Sequence, residues 1–321
     1  MAGAQQPLPG LAGWTVRGCS LHDVPAILAV TRASDVAAVG EPDWSEGEVV
    51  ETLTAPNQDP AVDSWLAFAP PGTEALAWAY VDNPQRGARD NVEVYAMPGR
   101  GEPAYGPLLD LAVARVAERA RSAGHAAVTL RAGAVASEPV YLAVLAEKGF
   151  RFVKRHARMS RVLTGQERRP EGTAIRPVRA EELPRFHAVL EAAFADTPDF
   201  QPTPYADWRA GIERLPSVSW DEWFVCADGD EIVGVLQSAD QALEHHQGWI
   251  KNLAVLRSHR RSGIGGALLR TAFAAYAAKG RASAGLGVDL TNPTGAYRLY
   301  TDAGMTVAFA ADMYERTVTA V

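Results

Sequence analysis

The feature that most constrains the fold of this chain is an internal repeat. Short motifs of the first half recur in the second half in the same order, displaced by about 155–160 positions. The matched pairs are Val16-Arg17 with Ile175-Arg176, Val24-Pro25 with Leu183-Pro184, Trp65-Leu66-Ala67 with Trp223-Phe224-Val225, Arg100 to Leu109 with Arg260 to Leu269, and Gly149-Phe150 with Gly304-Met305. A nearly constant displacement over so much of the chain predicts two similar domains in tandem.

The repeat also predicts where the domains begin and end. Residues 1–12 contain no apolar periodicity, and we expect a flexible tail there. A first domain would cover residues 13–163, and the polar residues 164–172 would link it to a second domain over 173–321. A length of 321 residues allows each domain to bury a core of its own.

Charge and cysteine usage exclude several classes of function. The net charge of −7 argues against a general nucleic-acid or anionic-membrane binder. Cys19 and Cys226 have no spacing typical of a disulfide framework or a zinc site, and the chain has neither a signal-peptide pattern nor an apolar run that could span a membrane. We therefore expect a cytoplasmic monomer or homodimer that needs no metal, membrane or nucleic acid.

Hydrophobic periodicity in the second half predicts strands and helices in mixed order. The turn Asp228-Gly229-Asp230-Glu231 is typical of a hairpin. The predicted strands are 174–177, 223–227, 232–238, 249–256, 284–290, 307–310 and 313–318, and the predicted helices are 180–195, 205–215, 267–279 and 294–303. This order predicts an α/β (α+β) class, with a mixed, mostly antiparallel sheet flanked by helices in each domain.

A glycine-rich run, Arg260-Arg261-Ser262-Gly263-Ile264-Gly265-Gly266, lies between a predicted strand and a predicted helix. Exposed N–H groups and the helix dipole make such a turn a site for an anionic phosphate. A plain tight turn with a solvated basic face is the competing interpretation. Leu268 stands where a dinucleotide-binding fingerprint needs its third glycine, and no Gly-Lys-Ser/Thr follows, so Rossmann and Walker loops are disfavoured.

Several elements around this run match one family in order. After the Arg-x-x-Gly-x-Gly sequence come Ala267-Leu268-Leu269, a strand ending at Leu290, then Asn292, and Tyr300 four residues before Gly304. The ensemble resembles the GCN5-related N-acetyltransferase (GNAT) superfamily over residues 173–319. The tandem arrangement looks most like actinobacterial tandem GNAT proteins, a group that includes mycothiol-synthase-like proteins.

The resemblance implies a site for acetyl-CoA as co-substrate. The N–H groups from Ser262 to Ala267 would hold the pyrophosphate, with added contacts from the side chains of Arg260 and Arg261. The pantetheine would lie between two diverging strands and pair with the backbone of Leu253 and Val255, while an N–H near Leu253 or Ala254 would polarise the thioester carbonyl. The resemblance also implies that Gly263, Ile264, Gly265 and Gly266 belong to the acyl-CoA site. Asn292 would contact the acyl-CoA or, alternatively, cap a helix. Tyr300 would be the general acid or, alternatively, a packed aromatic residue.

The general base is the least defined role. Lys251 occupies the position at which many members of the family carry a glutamate, and it would repel an ammonium ion but could bind a substrate carboxylate. Glu244, His245 and His246 precede this strand and are candidate bases, unless they form only a solvated loop.

Residues between the first two helices of the second copy could form an acceptor pocket. Asp196, Asp199, Tyr205 and Trp208 would line it for a cationic small molecule. Alternatively, the aspartates are helix caps and the aromatic residues are core, which we favour for Phe194 and Trp208.

The first copy departs from the family pattern. Pro103 and Tyr105 stand where the second copy has Gly263 and Gly265, and Leu145 stands where it has Tyr300. Proline offers no N–H and tyrosine resists the backbone angles that glycine allows. We expect the first copy to be degenerate and the second to be an N-acetyltransferase that acts on a small-molecule amine by direct attack. The alternative is a non-catalytic protein that binds or senses acyl-CoA.

Overall fold

The computed structural model describes residues 4–83, 87–172, 174–197, 200–215, 218–240, 243, 246–291 and 295–320. The chain divides into two compact units, one formed by Met1–Arg155 with Ala311–Val321 and the other by His156–Ala310. Each unit is of mixed α/β type, with a mostly antiparallel sheet flanked by helices, as the sequence predicts.

Within its described residues, the first half of the chain contains seven strands and five α-helices. The strands are β1 (Gln6–Pro7), β2 (Thr15–Gly18), β3 (Ser64–Phe68), β4 (Ala75–Asp82), β5 (Arg89–Ala96), β6 (Ala127–Val135) and β7 (Arg151–Val162). The helices are α1 (Val24–Val39), α2 (Glu46–Leu53), α3 (Pro60–Asp63), α4 (Tyr105–Ser122) and α5 (Pro139–Glu147).

The elements of the second half follow the same order. The strands are β8 (Ile175–Pro177), β9 (Phe224–Asp228), β10 (Glu231–Ala239), β11 (Gln247–Val255), β12 (Ser283–Asp289) and β13 (Thr306–Thr319). The helices are α6 (Leu183–Phe194), α7 (Tyr205–Glu213), α8 (Ile264–Ala278) and α9 (Ala296–Asp302). The hairpin predicted at 228–231 is confirmed, because Asp228 pairs with Glu231 across the turn.

The two copies exchange their last strands. The last strand of the first copy, β7, lies in the sheet of the second unit, and the last strand of the second copy, β13, lies in the sheet of the first unit. In the first unit the strand order is β1-β2-β3-β4-β5-β6, and residues 311–319 of β13 complete it by pairing with β6. In the second unit the order is β8-β9-β10-β11-β12, and residues 156–162 of β7 complete it by pairing with β12. The strands predicted at 307–310 and 313–318 are therefore one strand, and its second part does not close the second sheet as we predicted.

This exchange changes the domain boundaries that the repeat suggested. The predicted linker, 164–172, lies inside the second unit rather than between the units. Both copies offer a strand edge of the same kind, so local hydrophobic pattern specifies that the final strand forms but not which edge it joins.

The predicted flexible tail is also corrected. Gln6–Pro7 pairs with Thr15–Val16, and the Leu8 side chain is buried in the core of the first unit. The Leu8 N–H donates to the Trp14 carbonyl oxygen, so a short loop folds back onto the sheet. Burial of this one apolar side chain explains why the segment is ordered.

Each unit has an equivalent ion pair between an early strand and the first long helix. Arg17 on β2 binds both carboxylate oxygens of Asp23, at 3.0 and 2.6 Å, just before α1. Arg176 on β8 binds Glu182 in the same way, at 2.7 and 2.6 Å, just before α6. Bidentate arginine contacts fix the entry of each first helix onto its sheet.

Helices cover both faces of each sheet. In the second unit, α6 packs with Trp223, Val225 and Ala254 on one face, while α8 packs with Phe224, Leu236 and Ile250 on the other. Alternate residues of each strand thus enter two separate cores. Each unit has a parallel strand pair among its described residues, β5–β6 in the first and β11–β12 in the second. The candidate sites lie beside these two pairs.

Candidate functional site

The two parallel strands of the second unit separate before they end. Pairing between β11 and β12 stops at Ile250 and Leu286, although the strands continue to Val255 and Asp289. Leu256 N–H donates to the Val233 carbonyl on β10, so, by the alternation of a strand, the peptide groups of Leu253 and Val255 point away from β10 into the opening. The opening therefore presents the N–H groups of Leu253 and Val255 and the Leu253 carbonyl oxygen to an extended ligand, while the Val255 carbonyl oxygen accepts from Arg260.

The same alternation separates two of the predicted polarising groups. The N–H of Ala254 points toward β10, where the strand is paired, while the N–H of Leu253 points into the opening. Of the two, only Leu253 is placed to donate to a carbonyl oxygen in the opening.

The glycine loop at the end of β11 has a backbone shape suited to an anion. Gly263 has φ +85° and is the N-cap of α8, and Arg261 has φ +64°. The first hydrogen bond of the helix runs from the Ala267 N–H to the Gly263 carbonyl oxygen. Among the described residues, no main-chain acceptor takes the N–H groups of residues 261–266, so these donors converge unpaired at a helix N-terminus.

The two glycines of the motif are needed for different reasons. A Cβ on Gly263 would meet nothing, so its left-handed φ is what requires glycine. A Cβ on Gly265 would lie 3.0 Å from Leu299 Cδ2 on α9, so here glycine allows two helices to approach. Leu299 was not singled out from the sequence, since a leucine at a helical spacing looks like any core residue.

Arg260 is bound within the protein rather than free for a phosphate. Its guanidinium donates to the carbonyl oxygens of Val255 and Ala193, at 3.2 and 2.9 Å, and to Asp196 Oδ2 at 3.1 Å. Asp196 also lies 3.6 Å from Arg257. These contacts assign Arg260 and Asp196 to joining α6 with the end of β11, which argues against the phosphate and acceptor roles predicted for them.

Other cations remain near the loop. Arg257 and Arg261 are exposed, and Ser262 donates its hydroxyl hydrogen to the His259 carbonyl. Arg270, one helical turn beyond Gly266, folds back so that its Nη1 would lie 3.3 Å from a Cβ on that glycine. Arg270 belongs to no motif in the sequence, and its position one turn along the helix is what brings it beside the loop.

Tyr300 is on α9, which packs on the start of α8 through Leu299. Its side chain is 8% exposed, and loss of hydration raises its pKa to about 12. No hydrogen bond contributes to that shift. The hydroxyl therefore keeps its proton at neutral pH, as a group that donates a proton to a strong base must.

The candidate bases are poorly placed or lie outside the described residues. Lys251 is exposed at the point where β11 and β12 separate. His246 is exposed before β11, about 23 Å from Leu253 at the usual rise per strand residue, too far for proton transfer through one water. Glu244 and His245 lie outside the described residues, as do Asn292 and Asp199.

The aromatic residues near the predicted acceptor pocket pack into the second unit's core. Phe194, Tyr205 and Trp208 all pack against the cluster that contains Phe186 and Trp223. The core interpretation of Phe194 and Trp208 is confirmed, and Tyr205 shares it.

One side chain in that aromatic cluster was not singled out from the sequence. His187 on α6 is buried, with ring centroids 5.7 Å from Tyr205 and 5.0 Å from Trp208. Its Nε2 lies 3.5 Å from a Glu191 carboxylate oxygen and has no hydrogen-bond partner among the described residues. A lone histidine at a buried helix position carries no motif that the sequence could reveal.

In the first unit the corresponding loop is closed. The Gly99 N–H donates to Glu102 Oε1, and the Gly101 N–H donates to the Met97 carbonyl. Tyr105 is buried and stacks on Tyr141 with ring centroids 4.7 Å apart. Internal hydrogen bonds, a carboxylate and a buried ring thus take the places of the open loop.

Metal and membrane sites are not seen in the described residues. Those residues contain no cluster of three or more His, Cys, Asp or Glu that could hold a metal ion. None of their helices combines the length and the apolar character needed to cross a bilayer. Cys19 and Cys226 are free and buried.

Part of this chain is similar to a known protein family. Residues 186–305 match the model of the acetyltransferase (GNAT) family. No curated protein sequence matches the chain. A GCN5-related N-acetyltransferase from Sphaerobacter thermophilus is similar at 27% identity, with a TM-score of 0.83 over 96% of this chain and 97% of that one.

Two more distant structures share the fold. A tandem GNAT protein from the clavulanic acid biosynthesis pathway is 14% identical, with a TM-score of 0.68 over 96% of this chain and 99% of that one. An N-myristoyltransferase from Saccharomyces cerevisiae, solved with bound myristoyl-CoA, is 10% identical, with a TM-score of 0.64 over 97% and 80%. Residues 186–305, less than half of the chain, are thus similar to the acetyltransferase (GNAT) family, and the solved structures show that the fold is shared.

Proposed function

We propose that this protein is an acetyl-CoA-dependent N-acetyltransferase that uses its second unit to acetylate the amine of a small molecule. The observation that carries the proposal is the glycine loop, where the N–H groups of residues 261–266 point unpaired at a helix N-terminus beside two separating strands. The match of residues 186–305 to the acetyltransferase (GNAT) family supports an acyl-CoA co-substrate.

The donor set suits a CoA molecule in its charge and its shape. The pyrophosphate would be held by the loop N–H groups, with Arg261 and Arg270 adding charge-assisted contacts. The Leu253 carbonyl oxygen and the Val255 N–H would pair with the amides of the pantetheine arm. When bound, acetyl-CoA supplies the acetyl group as an activated thioester.

The chain's own residues would then act on either side of the transfer. The Leu253 N–H would donate to the developing oxyanion in the opening. Tyr300, whose pKa is raised to about 12, would hold its proton until a thiolate forms and would then donate it. We propose direct attack by the amine rather than an acyl-enzyme, because Ser258, whose Oγ lies 2.8 Å from His259 Nδ1, is in the exposed turn that follows β11.

The position of Lys251 limits which kinds of amine can be the acceptor substrate. An ammonium ion must lose a proton before it attacks, and a lysine at the usual base position does not take it. An amine that is weakly basic, or one with a carboxylate that Lys251 binds, suits this site best. The resemblance to mycothiol-synthase-like proteins stays a prediction.

A second candidate, a non-catalytic acyl-CoA sensor, is favoured by the same lysine. The two are separated by measuring thiol release from acetyl-CoA with the full chain across a panel of amines that differ in basicity and in the presence of a carboxylate. Saturable thiol release with at least one amine supports the transferase. Tight acetyl-CoA binding without turnover on any amine supports the sensor, and no binding of acetyl-CoA would contradict both.

A further inference from the structure

The first unit contains a cleft that the glycine-loop site does not explain. Pairing between β5 and β6 stops at Val92 and Ala132, although the strands continue to Ala96 and Val135. Glu93 is the first residue of β5 beyond the last pair. Its carboxylate therefore lies where the sheet opens, and a Cβ on Gly133 of β6 would be 3.8 Å from Glu93 Oε1.

The charges around Glu93 leave it without a neutralising partner of its own. Within the part of the chain that the structure describes, its hydrogen bond comes from the Tyr95 hydroxyl, at 2.8 Å. The charged groups that act on it most strongly are Asp82, Glu138 and Asp35, which are all acids. Loss of hydration is the main cause that raises the pKa of Glu93 to about 7, and the acids raise it further.

The nearby cations are engaged elsewhere. Arg131 on β6 binds Glu315 on β13, and Arg32 on α1 donates to the Trp44 carbonyl at 3.3 Å. Arg119 on α4 acts on Asp82 and Asp90 and lies 3.3 Å from the latter. Among the described residues, no cation is therefore paired with Glu93 itself.

Aromatic rings stand beside this carboxylate. Trp78 and Tyr80 on β4 stack with centroids 4.7 Å apart, and Trp78 stacks on Tyr95 at 5.8 Å. Trp44 meets Trp78, Tyr80 and Tyr95 edge-on, at 5.3, 6.3 and 5.6 Å. Asp35 Oδ2 accepts hydrogen bonds from the Asp43 and Trp44 N–H groups and so fixes the segment that carries Trp44.

The rings and the carboxylate retain some contact with solvent. Trp44, Tyr80, Glu93 and Tyr95 are only half-buried, while Trp78 beneath them is fully buried. Loss of hydration nevertheless raises the pKa of Tyr80, Glu93 and Tyr95 strongly. Their partial exposure leaves the carboxylate and the three outer rings accessible to a ligand.

A cavity adjoins the cleft on the α5 side. Its volume is about 120 Å³, and Ser34, Glu102, Tyr105, Glu138 and Tyr141 are among the residues that line it. The Tyr141 hydroxyl is buried without a hydrogen-bond partner among the described residues. The charges of Glu93 and Glu138 both act on that hydroxyl, so the cavity and the carboxylate belong to one neighbourhood.

We propose that this cleft in the first unit, formed by Glu93, the rings of Trp44, Tyr80 and Tyr95, and the cavity beside Tyr141, binds a small organic ammonium ion. Aromatic rings beside a carboxylate are an arrangement by which proteins bind alkylammonium groups, and here Tyr80 pairs with Glu93 across the sheet. A cation would neutralise Glu93, and a ligand heteroatom would give the Tyr141 hydroxyl a partner.

Other ligand classes match the cleft less well. An anion would be repelled by Glu93 and by the acids that act on it, Asp82, Glu138 and Asp35. The loop that would hold a phosphate is closed by Glu102 and Tyr105. A compact metal ion would leave the rings unused, and no group of three or more metal-ligating side chains is found among the described residues. The aromatic and acidic lining together select for a cation that carries apolar substituents.

The test uses choline as the probe and its uncharged isostere, 3,3-dimethylbutan-1-ol, as the matched ligand, in calorimetric titrations of the full chain. We expect choline to bind one site per chain with a Kd of about 1 mM, and the isostere to bind at least about tenfold more weakly. Equal affinities for the two ligands, or no saturable binding of choline, would overturn the proposal.

Variants locate the site. Glu93→Gln, which can still accept the Tyr95 hydrogen bond, should weaken choline binding at least about tenfold. Glu147→Gln removes an exposed acid from the same unit and should leave the affinity unchanged. If the Glu93 variant fails to fold, Trp44→Leu removes one half-buried ring without altering the carboxylate and should weaken binding about threefold or more. Unchanged affinity in the folded variants would overturn the assignment.

The pH dependence provides an independent readout. Because Glu93 is ionised only above about pH 7, wild-type affinity for choline should rise about tenfold from pH 6 to pH 8. The other charged groups that face the cleft are Asp35, Asp82 and Glu138, with the Arg131–Glu315 pair at its border. The rise should disappear in Glu93→Gln, and its persistence there would assign the effect to one of these other groups and contradict the proposed site.

Discussion

The same turn of the two copies has opposite properties in the two units. In the second unit, the turn between β11 and α8 leaves its N–H groups unpaired, and Gly263 and Arg261 hold left-handed backbone. In the first unit, the turn before α4 bonds its own N–H groups, carries Glu102 and buries Tyr105. The repeat conserved the strand–turn–helix path while only one copy kept the donors that an anion needs.

The openings between the separating strands, β5 and β6 in the first unit and β11 and β12 in the second, also carry different side chains. Glu93 pairs across the sheet with Tyr80 in the first unit, and the corresponding pair in the second unit is Asn252 with Gln237. The Asn252 side chain donates to Gln237 at 2.7 Å, so that pair is neutral and satisfied. The first unit therefore has an acid beside aromatic rings next to a closed turn, and the second has a neutral amide pair and Lys251 next to a turn with unpaired N–H groups.

The largest effect is expected from closing the open turn. Gly263→Pro removes an N–H and cannot adopt φ +85°, so acetyl-CoA affinity should fall at least about 100-fold in calorimetric titrations. Gly263→Ala keeps the N–H at a cost of about 1 kcal/mol and should lose less affinity. The matched change in the first unit, Pro103→Gly, should leave affinity unchanged, and a loss there would show that both turns contact CoA.

Removing the candidate acid should affect turnover more than binding. Tyr300→Phe should lower kcat about 100-fold with little change in the KM for acetyl-CoA, because the hydroxyl is proposed to act only when the thiolate leaves. Tyr297→Phe, an exposed tyrosine on the same helix, is the control and should retain wild-type kcat. Equal rates in the two variants would leave Tyr300 with a packing role.

The acidic opening of the first unit should cost stability at high pH. Folding raises the pKa of Glu93 from 4.5 to about 7, so the folded state binds the proton more tightly and stability falls as pH rises between these values. Glu93→Gln should therefore be more stable than wild type by about 2 kcal/mol at pH 8 and equal to it at pH 4. Denaturant unfolding at both pH values measures this difference.

The control for that measurement is Glu147→Gln, which should change the free energy of unfolding by less than about 0.5 kcal/mol at either pH. A Glu93→Gln variant that is less stable than wild type at pH 8 would show that the carboxylate makes favourable contacts, and the contrast between the two openings would lose its electrostatic basis.

The smallest effect should come from the left-handed arginine of the open turn. Arg261→Gly relieves a φ of +64° and should raise the free energy of unfolding by about 0.5 kcal/mol, after the entropy that glycine adds to the unfolded chain. The lost charge should weaken acetyl-CoA binding severalfold. Arg257→Gly, at right-handed backbone, should lower stability instead, and a similar gain in both variants would exclude strain at Arg261.

Much of the site was predictable because its parts are local. The glycine turn, the strand before it and the helix after it are specified by neighbouring residues, and the turn between Asp228 and Glu231 formed as predicted. Roles that depend on distant partners were not predictable. Arg260 looked like a phosphate ligand until the fold brought Ala193 and Asp196 to it, and Arg270 reaches the loop only through the helix.

The sequence by itself determined the duplication, the secondary structure and the loss of the glycine turn in the first copy, because each is recorded in short runs of residues. Only the tertiary structure decided that residues 311–319 join β6 and residues 156–162 join β12, and that Glu93 lies among acids and rings. Strand patterns specify which face is apolar but not which edge is joined, and a carboxylate's neighbours come from elements far apart in the chain.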